Sequence, residues 1–508
     1  MNKNQQEIIL TVGLFFDGTG NNAINVGNML DDCKNDNFNV YSVEAKTLLG
    51  QHAVTHKKLI GNHALSYTNY YSNVYWLSYL YKQTYSAPSN YFQKSLYIQG
   101  IGTESEKPDS LLGSALGVAG TGIIAKTDVA INMISLAIQQ EIVAIKKVLA
   151  TDNFIIKSLQ FDIFGFSRGA ASARHFSNRV FNKDPALIQA VKRGVGCLEY
   201  HGEPCGKTRF IGIFDTVTAI GEVANGLNPH SSNTGSVDIR LRPGVAEKVF
   251  HITAQHECRF NFALNSVQPA WPELMLPGSH SDIGGGYLPL EKENVFLTRP
   301  YSQPVNKQQL DSETRVYRQT LAQRKTIESA PTLTPILRNQ KVQVESWSKI
   351  SYQRDRYNNE QKFSFSALAL PERIIKNDWS RVVLRVMVDA AKKAGVLFDP
   401  ISDTQQELLL PPELTPLLSK ALAMGDDVWH GQKNAEFSND ELTLLGKDYL
   451  HCSANWNEVM VDAQGAHYGE SAVTEIIGFT NRPDEHWKRT CYGMDGIRQQ
   501  SAEKTKKA

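Results

Sequence analysis

Phe161-Asp162-Ile163-Phe164-Gly165-Phe166-Ser167-Arg168-Gly169-Ala170-Ala171-Ser172-Ala173 runs from an apolar strand through G-x-S-x-G into a helix opened by small residues. A nucleophile elbow needs this order. The serine sits in a strained turn between strand and helix, and glycines flank it where a side chain would collide. The helix N-terminus then turns free N–H groups and the positive end of its dipole toward any oxyanion formed beside it. A bare G-x-S-x-G arises by chance in roughly one chain in ten of this length. The preceding strand and the Ala-rich helix that follows therefore carry the argument. The fold class implied is α/β: an α/β-hydrolase-like, mostly parallel sheet flanked by helices, with an additional, mainly helical C-terminal region. Ser167 is the candidate nucleophile.

Other short apolar runs support parallel strands joined by crossover helices: 8–16, 95–99, 158–164, 210–214, 249–254 and 273–276. Few charges interrupt them, as expected of strands covered on both faces. The spacing predicts a helix over 128–149 and another over 379–394, the latter capped by Asp378 or Ser380 and stopped by Gly395. Residues 299–364 are polar and read as loops and surface helices, and the proline-rich 409–418 reads as a turn or linker. The expected division is a catalytic domain over 1–295 and a mixed, mainly helical accessory region over 296–508, partly packed on it. Candidate lid or membrane-contact insertions lie at 20–95 and 104–127.

A chain of 508 residues with 41% hydrophobic and 21% charged side chains is too apolar to be disordered. Lys and Arg total 53 against 52 for Asp and Glu, so no basic balance argues for a nucleic-acid partner. None of the six cysteines forms a C-x-x-C pair, and reduced thiols are the default in a chain this long. The apolar run 8–16 follows Glu7, ends at Asp17-Gly18 and offers no cleavage site, so it reads as a strand rather than a secretion signal. Synthesis in the cytoplasm is expected, with any export independent of a cleaved signal. The uncharged stretch 110–125 is short and broken by glycines, unlike a bilayer span.

A triad in this fold takes its acid and then its histidine from strand ends downstream of the serine. Asp215 appears where the run 210–214 should emerge, although an Asp in that place is commonly a turn former or cap. Asp162 precedes the serine inside its strand and reads as structural. His280, in Gly278-Ser279-His280-Ser281-Asp282-Ile283-Gly284-Gly285-Gly286, is expected on a loop whose glycines bring backbone close to a substrate. His251 reads as a core histidine and His256 as a member of a polar network. The oxyanion hole should use the backbone N–H of Arg168 and a second donor from Gly18 or Thr19. The same loop, Asp17-Gly18-Thr19-Gly20-Asn21-Asn22, lacks the Gly-Lys-Ser/Thr ending of a P-loop.

Five segments occur together and in order: 15–22 (FFDGTGNN), 100–103 (GIGT), 165–170 (GFSRGA), 214–217 (FDTV) and 280–287 (HSDIGGGY). The set resembles the first family of type VI secretion lipase effectors, antibacterial phospholipases with an α/β-hydrolase catalytic domain. The resemblance covers roughly the first 290 residues and thins through the helix near 383–397 and the segments 451–455 and 481–483. It implies Ser167, Asp215 and His280 as nucleophile, acid and base, and phospholipase A action on membrane glycerophospholipid. It also implies export without a signal peptide, action at the membrane or in the periplasm of a target bacterium, a spike-tip carrier and a protective immunity protein. No cofactor or metal is implied. Tyrosines and Trp76 within 65–97, and the small apolar residues of 111–125, suit peripheral membrane contact or a lid, although such residues at helical spacing usually pack a core. The alternatives are a soluble carboxylesterase or thioesterase on the same fold, and a secretion-docking module with a vestigial triad.

Overall fold

The computed structural model describes residues 5–34, 38–83, 90–110, 122–220, 234–354, 360–456, 460–461, 467–468 and 481–499. Most of the apolar run 111–125 therefore lies outside the described residues. The N-terminal strands are β1 (Gln6–Phe16), β2 (Tyr91–Ile98), β3 (Phe154–Phe166), β4 (Lys207–Phe214), β5 (Lys248–Ala254), the two-residue β6 (Leu264–Asn265) and β7 (Glu273–Leu276). Six of them form one sheet in the order β2-β1-β3-β4-β5-β7, every pairing parallel. The strand order reverses between β1 and β3. Open parallel sheets form their binding crevice outside the carboxyl ends of the strands at such a point. The elbow, at the end of β3, sits there.

Side chains on each strand alternate between the two faces. On β1, Leu10, Val12, Leu14 and Phe16 join one core, which also holds buried residues of the helices Ile123–Leu149, Arg168–Phe181 and Pro185–Val195. Phe15 faces the other way, into a second core shared with the helices Asn73–Leu80 and Asp378–Lys393. The helix Ile123–Leu149 starts five residues before its sequence reading. By length and composition alone it is long and apolar enough to cross a membrane. Here Ala130, Ile131, Ile134, Ile138 and Ile145 of this helix pack in the core of the sheet.

An antiparallel sheet follows in the chain. Strand β8 (Leu290–Phe296) pairs with β11 (Glu360–Lys376), which also pairs with β9 (Tyr301–Val305) and β10 (Gln343–Arg354). Part of 299–364 is thus strand, alongside the helix Arg315–Glu328. The division at 295/296 falls at the end of β8, and the second core runs across it without a break. Its centrepiece is the helix Asp378–Lys393, whose Trp379 is fully buried and donates Nε1–H to the Pro277 carbonyl at 2.6 Å. The N-cap of that helix is Asn377, not the expected Asp378 or Ser380. The proline-rich 409–418 enters the helix Thr415–Trp429, with Pro416 in the first turn, where a missing N–H costs nothing.

Candidate active site

The elbow has the strain its sequence predicts. Ser167 adopts φ 58° and ψ −125°, a region that non-glycine residues rarely occupy. It is held there from β4: Ser167 N–H donates to Phe214 O at 3.0 Å, and Val217 N–H donates to Ser167 O at 3.3 Å. The flanking glycines answer to close backbone. A Cβ at Gly165 would lie 2.5 Å from the Gly169 carbonyl oxygen, and one at Gly169 would lie 2.3 Å from the Phe16 and Asp17 oxygens. Serine is nine-tenths buried at this corner, with the first N–H groups of the following helix beside it.

Asp215 follows β4 and His280 follows β7, and the fold brings them into direct contact. Asp215 Oδ2 accepts from His280 Nδ1 at 2.5 Å. Burial alone would raise the Asp215 carboxyl. The Arg489 guanidinium and the bond from His280 outweigh it and hold the group far below the ordinary carboxylate range. An ionised carboxylate only accepts, so Nδ1 carries the proton and a neutral ring keeps a lone pair at Nε2. Burial pushes His280 below its usual value against the pull of Asp215, which favours that neutral ring. The imidazole is packed between two phenyl rings, Phe166 at 4.5 Å and Phe262 at 4.9 Å between centroids. Phe166 is the residue before the serine, so the base rests against the elbow.

His280 was expected on a loop and instead opens the short helix His280–Gly284. The reason is a capping box in the sequence Ser279-His280-Ser281-Asp282. Ser279 N–H and Oγ–H both donate to Asp282 Oδ2, at 2.8 and 2.9 Å. Two of the glycines after it serve close packing: Gly285 bridges to Ser72, and a Cβ at Gly284 would lie 2.0 Å from the Phe166 ring. Asp282 also accepts from His451 Nδ1 at 2.6 Å, and the His451 ring stacks on Tyr287 at 3.7 Å.

The other residues singled out in the sequence take structural places. Asp162 is gripped by Arg209 and Tyr81 inside the sheet. His251 bridges Glu273 and the Thr216 amide, and His256 Nδ1 accepts from Gly278 N–H. In the loop after β1, Gly18 packs against the elbow, since a Cβ there would meet the Phe166 ring at 2.5 Å. The Gly18 N–H is already committed to Asp17 Oδ1 at 2.7 Å. No hydrogen bond engages the Thr19 N–H among the described residues, and its buried Oγ1 has no partner. Thr19 is the better placed of the two expected donors. Asp17 itself anchors this loop, accepting from Ser72 Oγ and Tyr97 OH, each at 2.6 Å. Burial raises its carboxyl to about 6.

Sequence reasoning missed Arg489, which donates to both oxygens of Asp215, at 2.7 and 2.8 Å.

Comparison with known proteins bears on the fold and the family. A family model described as the catalytic domain of Tle1-like phospholipase effectors of the type VI secretion system matches residues 189–317, a span that holds Asp215 and His280. A solved structure of the Tle1 effector bound to the VgrG spike is 37% identical, covers 97% of this chain and 95% of that one, and superposes with a TM-score of 0.75. The chain belongs to the Tle1 family of type VI secretion phospholipase effectors. An uncharacterized protein from Pseudomonas aeruginosa, at 15% identity over 88% of this chain and 53% of that one, gives a TM-score of 0.38. No curated protein matches. Membership in the Tle1 family makes this a lipid-hydrolysing effector with an α/β-hydrolase-like sheet.

Proposed function

We propose that this Tle1-family chain is a serine phospholipase A acting by an acyl-enzyme mechanism, with Ser167 as nucleophile, His280 as base and Asp215 as the acid that orients it. One observation carries the reading: a serine in a strained elbow at the end of β3, whose preceding residue Phe166 packs on the ring of a buried His280–Asp215 pair. In the first step His280 Nε2 takes the Ser167 proton as Oγ attacks the acyl carbonyl carbon. The oxyanion is held by the Arg168 N–H and the Thr19 N–H. His280 then protonates the lysophospholipid oxygen as the ester bond breaks, and water releases the fatty acid by the same steps.

The substrate proposed is membrane glycerophospholipid, met at a lipid surface in the periplasm of a target bacterium. The solved relative is bound to a VgrG spike, which supports a spike-tip protein as carrier. A cognate immunity protein belongs to the same reading. The tyrosine-rich stretch supports both of its roles. Val74, Leu77 and Leu80 enter the core, while Tyr71, Tyr75, Trp76 and Tyr79 form a chain of ring contacts with Tyr79 55% exposed.

Product analysis on vesicles of defined-chain phospholipid tests the proposal, with wild type and Ser167→Ala side by side. The expected result is free fatty acid and lysophospholipid from wild type only. Equal release by Ser167→Ala would remove the nucleophile assignment. Activity confined to short monomeric esters would remove the phospholipase one.

A further inference from the structure

Asp215 is a carboxylate with every acceptor position taken. Oδ1 receives Ala254 N–H at 2.9 Å and Arg489 Nη1 at 2.7 Å, while Oδ2 receives His280 Nδ1 at 2.5 Å and Arg489 Nη2 at 2.8 Å. A carboxylate offers about four lone-pair sites, and a two-pronged guanidinium fixes its plane as a single donor cannot. Arg489 is itself buried, and its third donor, Nε–H, goes to Phe262 O at 2.6 Å.

The arginine reaches the site on a segment that docks by its backbone. Asp484 N–H donates to Cys258 O at 2.7 Å, and Phe260 N–H to Arg482 O at 3.0 Å. Beyond Arg489, the strand Cys491–Tyr492 pairs with β6, with Leu264 N–H on Thr490 O and Ser266 N–H on Tyr492 O. The chain turns through His486 and Trp487, both left-handed at φ 56° and 57°, just before Arg489. The segment is separated from Asp215 by more than 250 residues of chain and yet forms one wall of the acid's pocket.

We propose that Arg489 is a positioning residue of the active site: carried in by the docked segment 481–499, it fixes the plane of the Asp215 carboxylate and neutralises its charge, so that His280 rests as a neutral base. This rests on the serine-hydrolase reading and extends it to a residue outside the triad. The other charged groups facing His280 are balanced among themselves. Glu257 accepts the His280 backbone N–H at 3.2 Å and is paired with Arg259 at 2.9 Å, and Asp282 on the histidine's own helix is engaged by His451. Asp215 without Arg489 would be the unbalanced charge. An uncompensated carboxylate stabilises the imidazolium, so His280 would hold its proton to higher pH and less of it would be the free base.

The test compares wild type, Arg489→Met and Arg489→Lys. Steady-state rates are measured on a short-chain phosphatidylcholine, and the pH dependence of Ser167 inactivation by a fluorophosphonate is followed in parallel. For folded Arg489→Met, kcat should fall on the order of 10²-fold from the lost orientation, with KM near the wild-type value. The acid limb of inactivation should rise by about one pH unit. Arg489→Lys keeps the charge but not the fork, so its limb should stay in place while kcat is intermediate. A folded Arg489→Met with wild-type kcat and limb overturns the proposal. So does a loss that only tracks the unfolded fraction, with the limb of the remaining activity unmoved. If Arg489→Met does not fold, full wild-type kcat in Arg489→Lys overturns the need for the fork. Wild type that never reacts at Ser167 would instead sink the serine-hydrolase reading itself.

Discussion

Two buried aspartates on neighbouring strands are each gripped by an arginine, and only one of them belongs to a reactive site. Asp162, within β3, takes Arg209 Nε at 2.8 Å and Nη2 at 2.5 Å, and a hydrogen bond from Tyr81 OH at 2.7 Å. Asp215, past the end of β4, is also taken by two prongs, here Nη1 and Nη2 of Arg489. The pairs differ in what else the carboxylate faces. Around Asp162 stand a guanidinium and a phenol, neither of which changes charge near neutral pH. Asp215 faces an imidazole packed on Phe166, the residue before a strained serine. A buried arginine–carboxylate pair is by itself a structural device. The sheet edge, where a histidine can exchange protons, turns one into part of a reaction centre.

The contrast can be broken first at its functional end. Asp215→Asn should lower kcat by about 10⁴-fold, because the amide no longer fixes the His280 tautomer, and a loss below tenfold would dissolve the distinction. At the structural end, Arg209→Met should cost about 3 kcal/mol, since Asp162 is left buried and unpaired. Denaturant melts read that cost, and kcat per folded molecule should stay within about twofold of wild type.

The pH profile sharpens the comparison further. His280 lies below its ordinary value, so the acid limb of kcat/KM should lie below the pH at which a free imidazole titrates, with about a tenfold loss per unit beneath that limb. His451 runs the other way. Burial lowers it, but Asp282, Glu293 and Glu291 outweigh burial and raise it above the usual imidazole value. A histidine raised in the folded state contributes stability that is complete below the unfolded value and is lost as pH rises through the folded one. Melts of wild type and His451→Asn should therefore differ by about 1.5–3 kcal/mol at pH 6 and by less at pH 9.

What the sequence made legible was local. Ser167, Asp215 and His280 each stand at the end of an apolar run, and the burial of a run can be read from the run itself. The Ser279–Asp282 capping box stood in the sequence too, but the loop expected around His280 passed over it. Arg489 left no such mark. Its partner lies 274 residues away, and an arginine between Lys488 and Thr490 reads as solvated surface until β6 supplies the strand that docks it. The antiparallel strands went unseen for a related reason. In Phe363-Ser364-Phe365-Ser366 a two-residue alternation is present, but the serines are the fully buried positions and the phenylalanines only partly covered, so the pattern points to the wrong face. The shared core was equally hidden, because an amphipathic helix such as Asp378–Lys393 does not say which sheet it will cover.

The most direct test of the central claim is to treat the protein with a fluorophosphonate and map the adduct by peptide mass spectrometry. A single phosphonylated site at Ser167, absent in Ser167→Ala and slowed by orders of magnitude in His280→Ala, is the expected result. A protein that hydrolyses phospholipid while Ser167 stays unmodified would contradict it.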